Sequence, residues 1–400
     1  MNYFFIILFV ILIIGIVALL YIIWRADLKF FLAVRKIRRT ERKKEVCCKD
    51  IVEFNQQLIK ASIRMMDSGI KDEFPTLLDY TIVGRFRKTK QYVDPVSLFR
   101  FQYSECGWII YSILEYTLRN NQEFTNTTTP VYCAENQLFI KIKRYVDDKI
   151  LDAEFETVDQ AQCGMIALLL YEKTQEEKYR IYADEMYKWV LTFDTIYGVL
   201  YRPNHNRIVV DSIGMAIPFL IKNAQVFNIP QARQVALKAI EKYVIFGCDS
   251  KTGVPVYAYE MNEPYLKLGR ANWGRGISWF VIGLSCIDNN ELNADVQPVI
   301  EKLDNTLKKV WDRDKSFGQF IGQSASHDLS AELPIIYYLT KKKIINLTKD
   351  EVLNYSLMMH DGVMYNSSSS YTGIIQYGVP VGPNMLSQAF MIRLLNIYED

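Results

Sequence analysis

From Ile51 to Tyr398 apolar residues recur three and four positions apart, in segments of about 12–20 residues separated by short polar turns, and strand-like alternation is scarce. Tyr179, Ala183, Met186, Val190 and Phe193 form one stripe, preceded by Thr174 and then by Glu176 and Glu177, and the charge of the two glutamates suits a first helical turn. Val235, Ala239, Ile240 and Tyr243 form a second, entered through Pro230, a residue tolerated at a helix start. Val296, Val299, Ile300, Leu303, Leu307 and Val310 form a third. Roughly a dozen such segments follow one another as hairpins in which one helix is more apolar than its partner. Paired inner and outer helices close naturally into an all-α toroid, and no fixed solenoid-type repeat period is present. Residues at the starts of the inner helices surround the cavity of such a toroid, so chemistry is sought there.

The N-terminus follows another pattern. Tyr3 to Trp24 carry no charged side chain, and at 1.5 Å per residue that length matches a hydrocarbon core of roughly 30 Å. Only Met1 and Asn2 precede the run, and no small-residue cleavage site follows, which favours an uncleaved anchor over a signal peptide. Arg25, Lys29, Arg35, Lys36, Arg38, Arg39, Arg42, Lys43 and Lys44 come next, against Asp27, Glu41 and Glu45. By the bias of basic residues toward the cytoplasm, the chain is expected to cross the inner membrane once with its C-terminal part inside. The expected organisation is an anchor at 1–24, contacting the bilayer through 3–24, a basic juxtamembrane linker at 25–48 and a helical domain at 49–400.

Composition narrows the function. Lys and Arg total 47 against 45 Asp and Glu, a net charge of +2, so no concentrated basic face for nucleic acid is expected. Cys47, Cys48, Cys106, Cys133, Cys163, Cys248 and Cys286 are odd in number and thinly spread, as reduced thiols are. With His205, His327 and His360 far apart and no C-x-x-C pair, no zinc site is expected.

Four polar constellations open apolar segments. Asp159, within Thr157-Val158-Asp159-Gln160, precedes the run from Met165 to Tyr171, and capping alone would account for it. Asp211, within Val209-Val210-Asp211-Ser212-Ile213-Gly214, precedes the next. Two carboxylates in successive hairpins can converge on one cavity, one as proton donor and water activator and the other holding hydroxyls. The stretch from Arg270 to Trp279 puts Arg275 and Trp279 four apart, a guanidinium beside an indole, suited to an acidic sugar ring or to a packed cation–π pair. In Ser324 to Glu332, Asp328 or Ser330 is expected to cap the helix that runs through Ile335 and Tyr338.

In order and spacing these stretches resemble the unsaturated glycuronyl hydrolases of glycoside hydrolase families 88 and 105. The likeness runs through Val158-Asp159, Val210 to Met215, Lys251-Thr252-Gly253, Trp273-Gly274-Arg275-Gly276 and Asp328-Leu329-Ser330-Ala331, from about Val158 to about Leu339. It implies an (α/α)6 barrel that removes a 4,5-unsaturated uronic acid from an oligosaccharide or polysaccharide end, with no metal and no organic cofactor. By that resemblance Asp211 is the general acid/base, Asp159 the second essential carboxylate, and Arg275, Trp279, Trp273 and Tyr257 substrate-binding residues. The sequence departs from the family where Val209 replaces a frequent Trp, Tyr257 a common His, and Ile277 a frequent Asn or Gln. Those departures leave open a second expectation, a non-catalytic glycan-binding barrel serving surface polysaccharide production.

Overall fold

The computed structural model describes residues 3, 5–21, 48–68, 74–75, 92–93, 104–123, 130–152, 154–322, 327–368 and 382–399. Twelve helices among them build the main body. They are α1 (Ile51–Ser68), α2 (Ser104–Glu123), α3 (Pro130–Lys149), α4 (Ala161–Thr174), α5 (Glu177–Leu191) and α6 (Asp211–Phe227). The chain continues with α7 (Pro230–Gly247), α8 (Gly274–Leu284), α9 (Gln297–Asp314), α10 (Leu329–Lys341), α11 (Lys349–Leu353) and α12 (Met385–Tyr398).

Six of these helices close a ring: α2 packs on α4, α4 on α6, α6 on α8, α8 on α10, α10 on α12, and α12 back on α2. Outside it α3 packs on α2, α5 on α4, α7 on α6, and α1 on α12, so the fold is an (α/α)6 barrel. The apolar contrast read from the sequence explains which helix goes where. Every residue of α8 and every residue from Ala161 to Leu170 of α4 is buried, because an inner helix is enclosed on all sides. The outer α9 buries only Ile300, Leu303, Leu307 and Trp311, the same stripe that the spacing predicts.

Backbone contact between inner helices is set by small residues. A Cβ on Gly214 of α6 would lie 2.5 Å from the Trp279 carbonyl oxygen of α8, so only glycine allows this approach. In the loop before α8, Gly253 combines a φ of +74° with backbone contact to Val299 and Leu303 of α9, a position that any side chain would strain.

The inner helices run in one direction. Near their starts, Gln162 Nε2 donates to the carbonyls of Gly214 (3.2 Å) and Met215 (2.6 Å), and Ser278 Oγ donates to the Ala331 carbonyl (2.8 Å). Their opposite ends meet around a cavity of about 560 Å³ lined by Glu115, Arg119, Glu172, Tyr337 and Arg393. Between α5 and α8 a small antiparallel sheet, β1 (Arg207–Val209), β2 (Ala258–Glu260) and β3 (Lys267–Leu268) in that order, braces the end where the inner helices start.

The expected membrane anchor is not supported by the structure. Among the described residues no helix is long and apolar enough to cross a membrane. Residues 5–21 are helical with exposed side chains, while 22–47, which hold the basic linker and the rest of the anchor segment, lie outside the described residues.

Candidate active site

Asp159 and Asp211 stand at the starts of neighbouring inner helices. Asp159 is not the cap of α4 that its position predicts; it lies in a 3₁₀ turn, Val158–Gln160, that leads into the helix. Thr157 and Gln160 do the capping, the Thr157 N–H donating to Gln160 Oε1 at 3.0 Å. Asp159 is thereby freed from capping and receives the Thr157 hydroxyl on Oδ1 instead. Its turn packs against α6, whose first residue is Asp211.

Asp159 is buried, 3% exposed, and that burial pushes its carboxyl up to about 6, against the lowering effects of the Thr157 hydroxyl, a backbone N–H, Arg202 and Tyr201. Between the ordinary aspartate value near 3.9 and about 6, the folded chain therefore holds a proton that the unfolded chain has lost. The stabilisation from this proton is complete below the unfolded value and is lost as pH rises through the folded one. Relative to Asp159→Asn, the wild-type protein should lose on the order of 3 kcal/mol between pH ~4 and ~7, from a shift of about two units. Urea unfolding of both proteins across that range checks it; parallel pH profiles would disprove the elevated value.

Asp211 is half-buried at the first turn of α6. Its strand-side neighbours fix its place. The Val210 N–H donates to the Tyr257 carbonyl at 2.8 Å, and β1 pairs with β2 so that Val209 lies opposite Ala258. The Tyr257 ring meets Trp273 edge-on at 5.5 Å, and Trp273 directly precedes α8. Asp211, Tyr257 and Trp273 are thus brought to one end of the barrel.

Arg275 and Trp279 are both buried on α8. Arg275 is 3% exposed; its Nε donates to Ser330 Oγ at 3.0 Å and its Nη2 to Ser330 Oγ (2.9 Å), Ser368 Oγ (3.1 Å) and the Ser368 carbonyl. Asp328 caps α10, accepting the Ser330 N–H and hydroxyl, and also accepts the Ser368 N–H and hydroxyl. Arg275 and Asp328 are therefore joined through two serines, a network that ties α8, α10 and the 367–368 segment together. Trp279 is buried against the Gly214 backbone one turn further in. Ile277 and Val209, which stand in place of polar or aromatic family residues, are core residues. Among the described residues no group of three or more His, Cys, Asp or Glu is arranged to hold a metal ion. Cys48, Cys163, Cys248 and Cys286 form no disulfide.

Sequence reasoning missed Gln162, whose amide joins α4 to α6, and the pair Tyr201 and Arg202, which face Asp159 from a loop. A glutamine three residues after Asp159, in an otherwise apolar helix, was the available signal for the first; nothing local marks the loop.

A closed ring of six inner helices, with Asp159 and Asp211 at the starts of two neighbours, defines a barrel of the six-hairpin type. The chain belongs to Glycosyl Hydrolase Family 88, whose family model matches residues 105–349. Among solved structures it is similar to a possible member of the GH105 family from Klebsiella pneumoniae, with 18% identity, a TM-score of 0.65 and coverage of 89% of this chain and 94% of that one. A glycoside hydrolase from family 105 of C. acetobutylicum gives 16% identity, a TM-score of 0.59 and coverages of 86% and 98%. A variant of UGL with dGlcA-Glc-Rha-Glc gives 12% identity, a TM-score of 0.60 and coverages of 88% and 96%. Among curated proteins no sequence match was found.

Proposed function

We propose that this chain is a membrane-anchored hydrolase that removes a 4,5-unsaturated uronic acid from the end of an oligosaccharide by hydrating its vinyl ether. The observation that carries this reading is the pair of carboxylates, Asp159 in a buried turn and Asp211 at the first turn of the adjacent inner helix. Membership of family 88 and a fold shared with a UGL variant holding dGlcA-Glc-Rha-Glc support it. Asp211 protonates C4 of the unsaturated ring and takes a proton from the water that adds at C5. The resulting hemiketal opens and releases the remaining sugar, with no change of redox state. Asp159, carrying its proton at mildly acidic pH, donates to or accepts from ring hydroxyls. Tyr257 and Trp273 supply the aromatic wall. Incubation of the full-length protein with unsaturated uronyl oligosaccharides should bleach the ultraviolet absorbance of the C4=C5 bond; its persistence on every such substrate sinks the reaction.

A non-catalytic glycan-binding barrel is the second reading. It is favoured by the commitment of Arg275 to Ser330 and Ser368 and by the burial of Ile277 and Trp279. Polymer binding unaffected by Asp211→Asn, with no product from either protein, distinguishes it.

For the N-terminus we propose an anchor at 1–24, a linker at 25–48 and the barrel from 49 onward, held at the inner face of the cell membrane. The uncharged run and the exposed apolar side chains from Phe5 to Tyr21 support the anchor, and the nine basic residues named above support the orientation. Alkaline carbonate washing should leave the protein in the membrane pellet; release into the supernatant would exclude an anchor.

A further inference from the structure

Residues 201–206 lead from the segment after α5 into β1, and so lie at the end of the barrel where the inner helices start. The loop is fastened at both of its ends. The Val158 N–H, beside Asp159, donates to the Tyr201 carbonyl at 3.2 Å. At its other end the Met261 N–H, following β2, donates to the Asn206 carbonyl at 3.0 Å. Within the loop, the Arg202 Cζ lies 5.5 Å from the centroid of the half-buried Tyr201 ring, and the His205 ring lies 6.4 Å from it.

Three arginines compete for the task of meeting an acidic sugar near Asp159. Arg275 is buried with its Nε and Nη2 given to serines. Arg207 stands half-buried on β1, directly opposite Glu260 of β2 in the strand pairing. Arg202 is exposed, and among the described residues its guanidinium makes no ion pair.

We propose that Arg202, with its guanidinium over the Tyr201 ring, is the residue that selects the carboxylate of an acidic sugar at this end of the barrel; the assignment rests on the hydrolase reading above. A guanidinium lying on an aromatic face keeps its N–H edge available for a two-point bond to a carboxylate, which an ammonium cannot reproduce. Fixing the loop at Tyr201 and Asn206 reduces the side-chain entropy lost on binding. The charge of Arg202 also reaches Asp159, where it opposes the effect of burial on that carboxyl. A ligand that spans Asp159 and Arg202 therefore carries hydroxyls at one edge and a carboxylate at another, which describes a uronic acid and not a neutral sugar.

The test uses full-length protein carrying Asp211→Asn to suppress turnover, titrated with an unsaturated uronyl disaccharide and with its carboxyl-reduced form. The parent should prefer the acid by roughly tenfold, the worth of one charge-assisted contact at an exposed site. Adding Arg202→Gln should abolish that preference while leaving affinity for the reduced sugar within about twofold, and Arg202→Lys should restore only part of it. Arg207→Gln should keep the preference. An acid preference that survives Arg202→Gln, or one lost with Arg207→Gln instead, overturns the assignment. Equal binding of acid and reduced sugar by the parent overturns it as well. Turnover of the unsaturated disaccharide by wild-type protein, followed in parallel, decides the hydrolase reading separately.

Discussion

Replacing Asp211 with asparagine should lower kcat/KM on an unsaturated uronyl oligosaccharide by roughly two to four orders of magnitude, the contribution typical of a positioned general acid/base. The amide is nearly isosteric but can neither give a proton to C4 nor take one from water. Asp211 enters α6 at its first turn, behind a backbone fixed by the Val210 bond to the Tyr257 carbonyl and by pairing of β1 with β2. The substitution should therefore leave melting and KM close to wild type, so the loss falls on kcat. Initial rates and a thermal melt measured together check this. A variant with wild-type kcat would remove Asp211 from the chemistry.

Arg275→Ala should cost about 3–5 kcal/mol of folding stability, the range seen when one member of a buried charged network is deleted. The truncation leaves Ser330 and Ser368 without their shared donor. It also strips the buried Asp328 carboxylate, which these serines bond, of the cation at the far side of the network. Arg275→Lys should recover part of that loss, since an ammonium cannot fork between Ser330 and Ser368. Chemical denaturation of the three proteins measures it. A loss below about 1 kcal/mol for Arg275→Ala would show that the network is relaxed by water. Because α8, α10 and the 367–368 segment meet at this guanidinium, a fall in activity of Arg275→Ala is expected to follow from a displaced rim, not from a missing sugar contact.

The contrast between these two residues shows where sequence reasoning succeeded. Both were singled out because they open apolar helices, and position at a helix start is a local property that the chain alone dictates. For Asp211 local position was enough, since the first residue of an inner helix lies at the open end of the ring. For Arg275 it was not: its neighbours Ser330 and Ser368 lie 55 and 93 residues away, and only their arrival spends its donors inside the protein. Trp279 shows the same limit. Its spacing of four from Arg275 was correct, yet its indole is taken up by Gly214, a residue from another hairpin. Asp159 looked like a cap and is not one, because Thr157 and Gln160, on either side of it, satisfy the turn instead.

By itself, then, the sequence determined the helical hairpins, which partner of each faces inward, and the succession of polar residues at the inner starts, since all three follow from spacing, hydropathy and turn chemistry within one segment. Tertiary structure alone decided the closing of α12 onto α2, the approach of the 201–206 loop to Asp159, and whether a given charged side chain faces outward or a buried partner. These depend on contacts between residues far apart in the chain, which local periodicity does not encode.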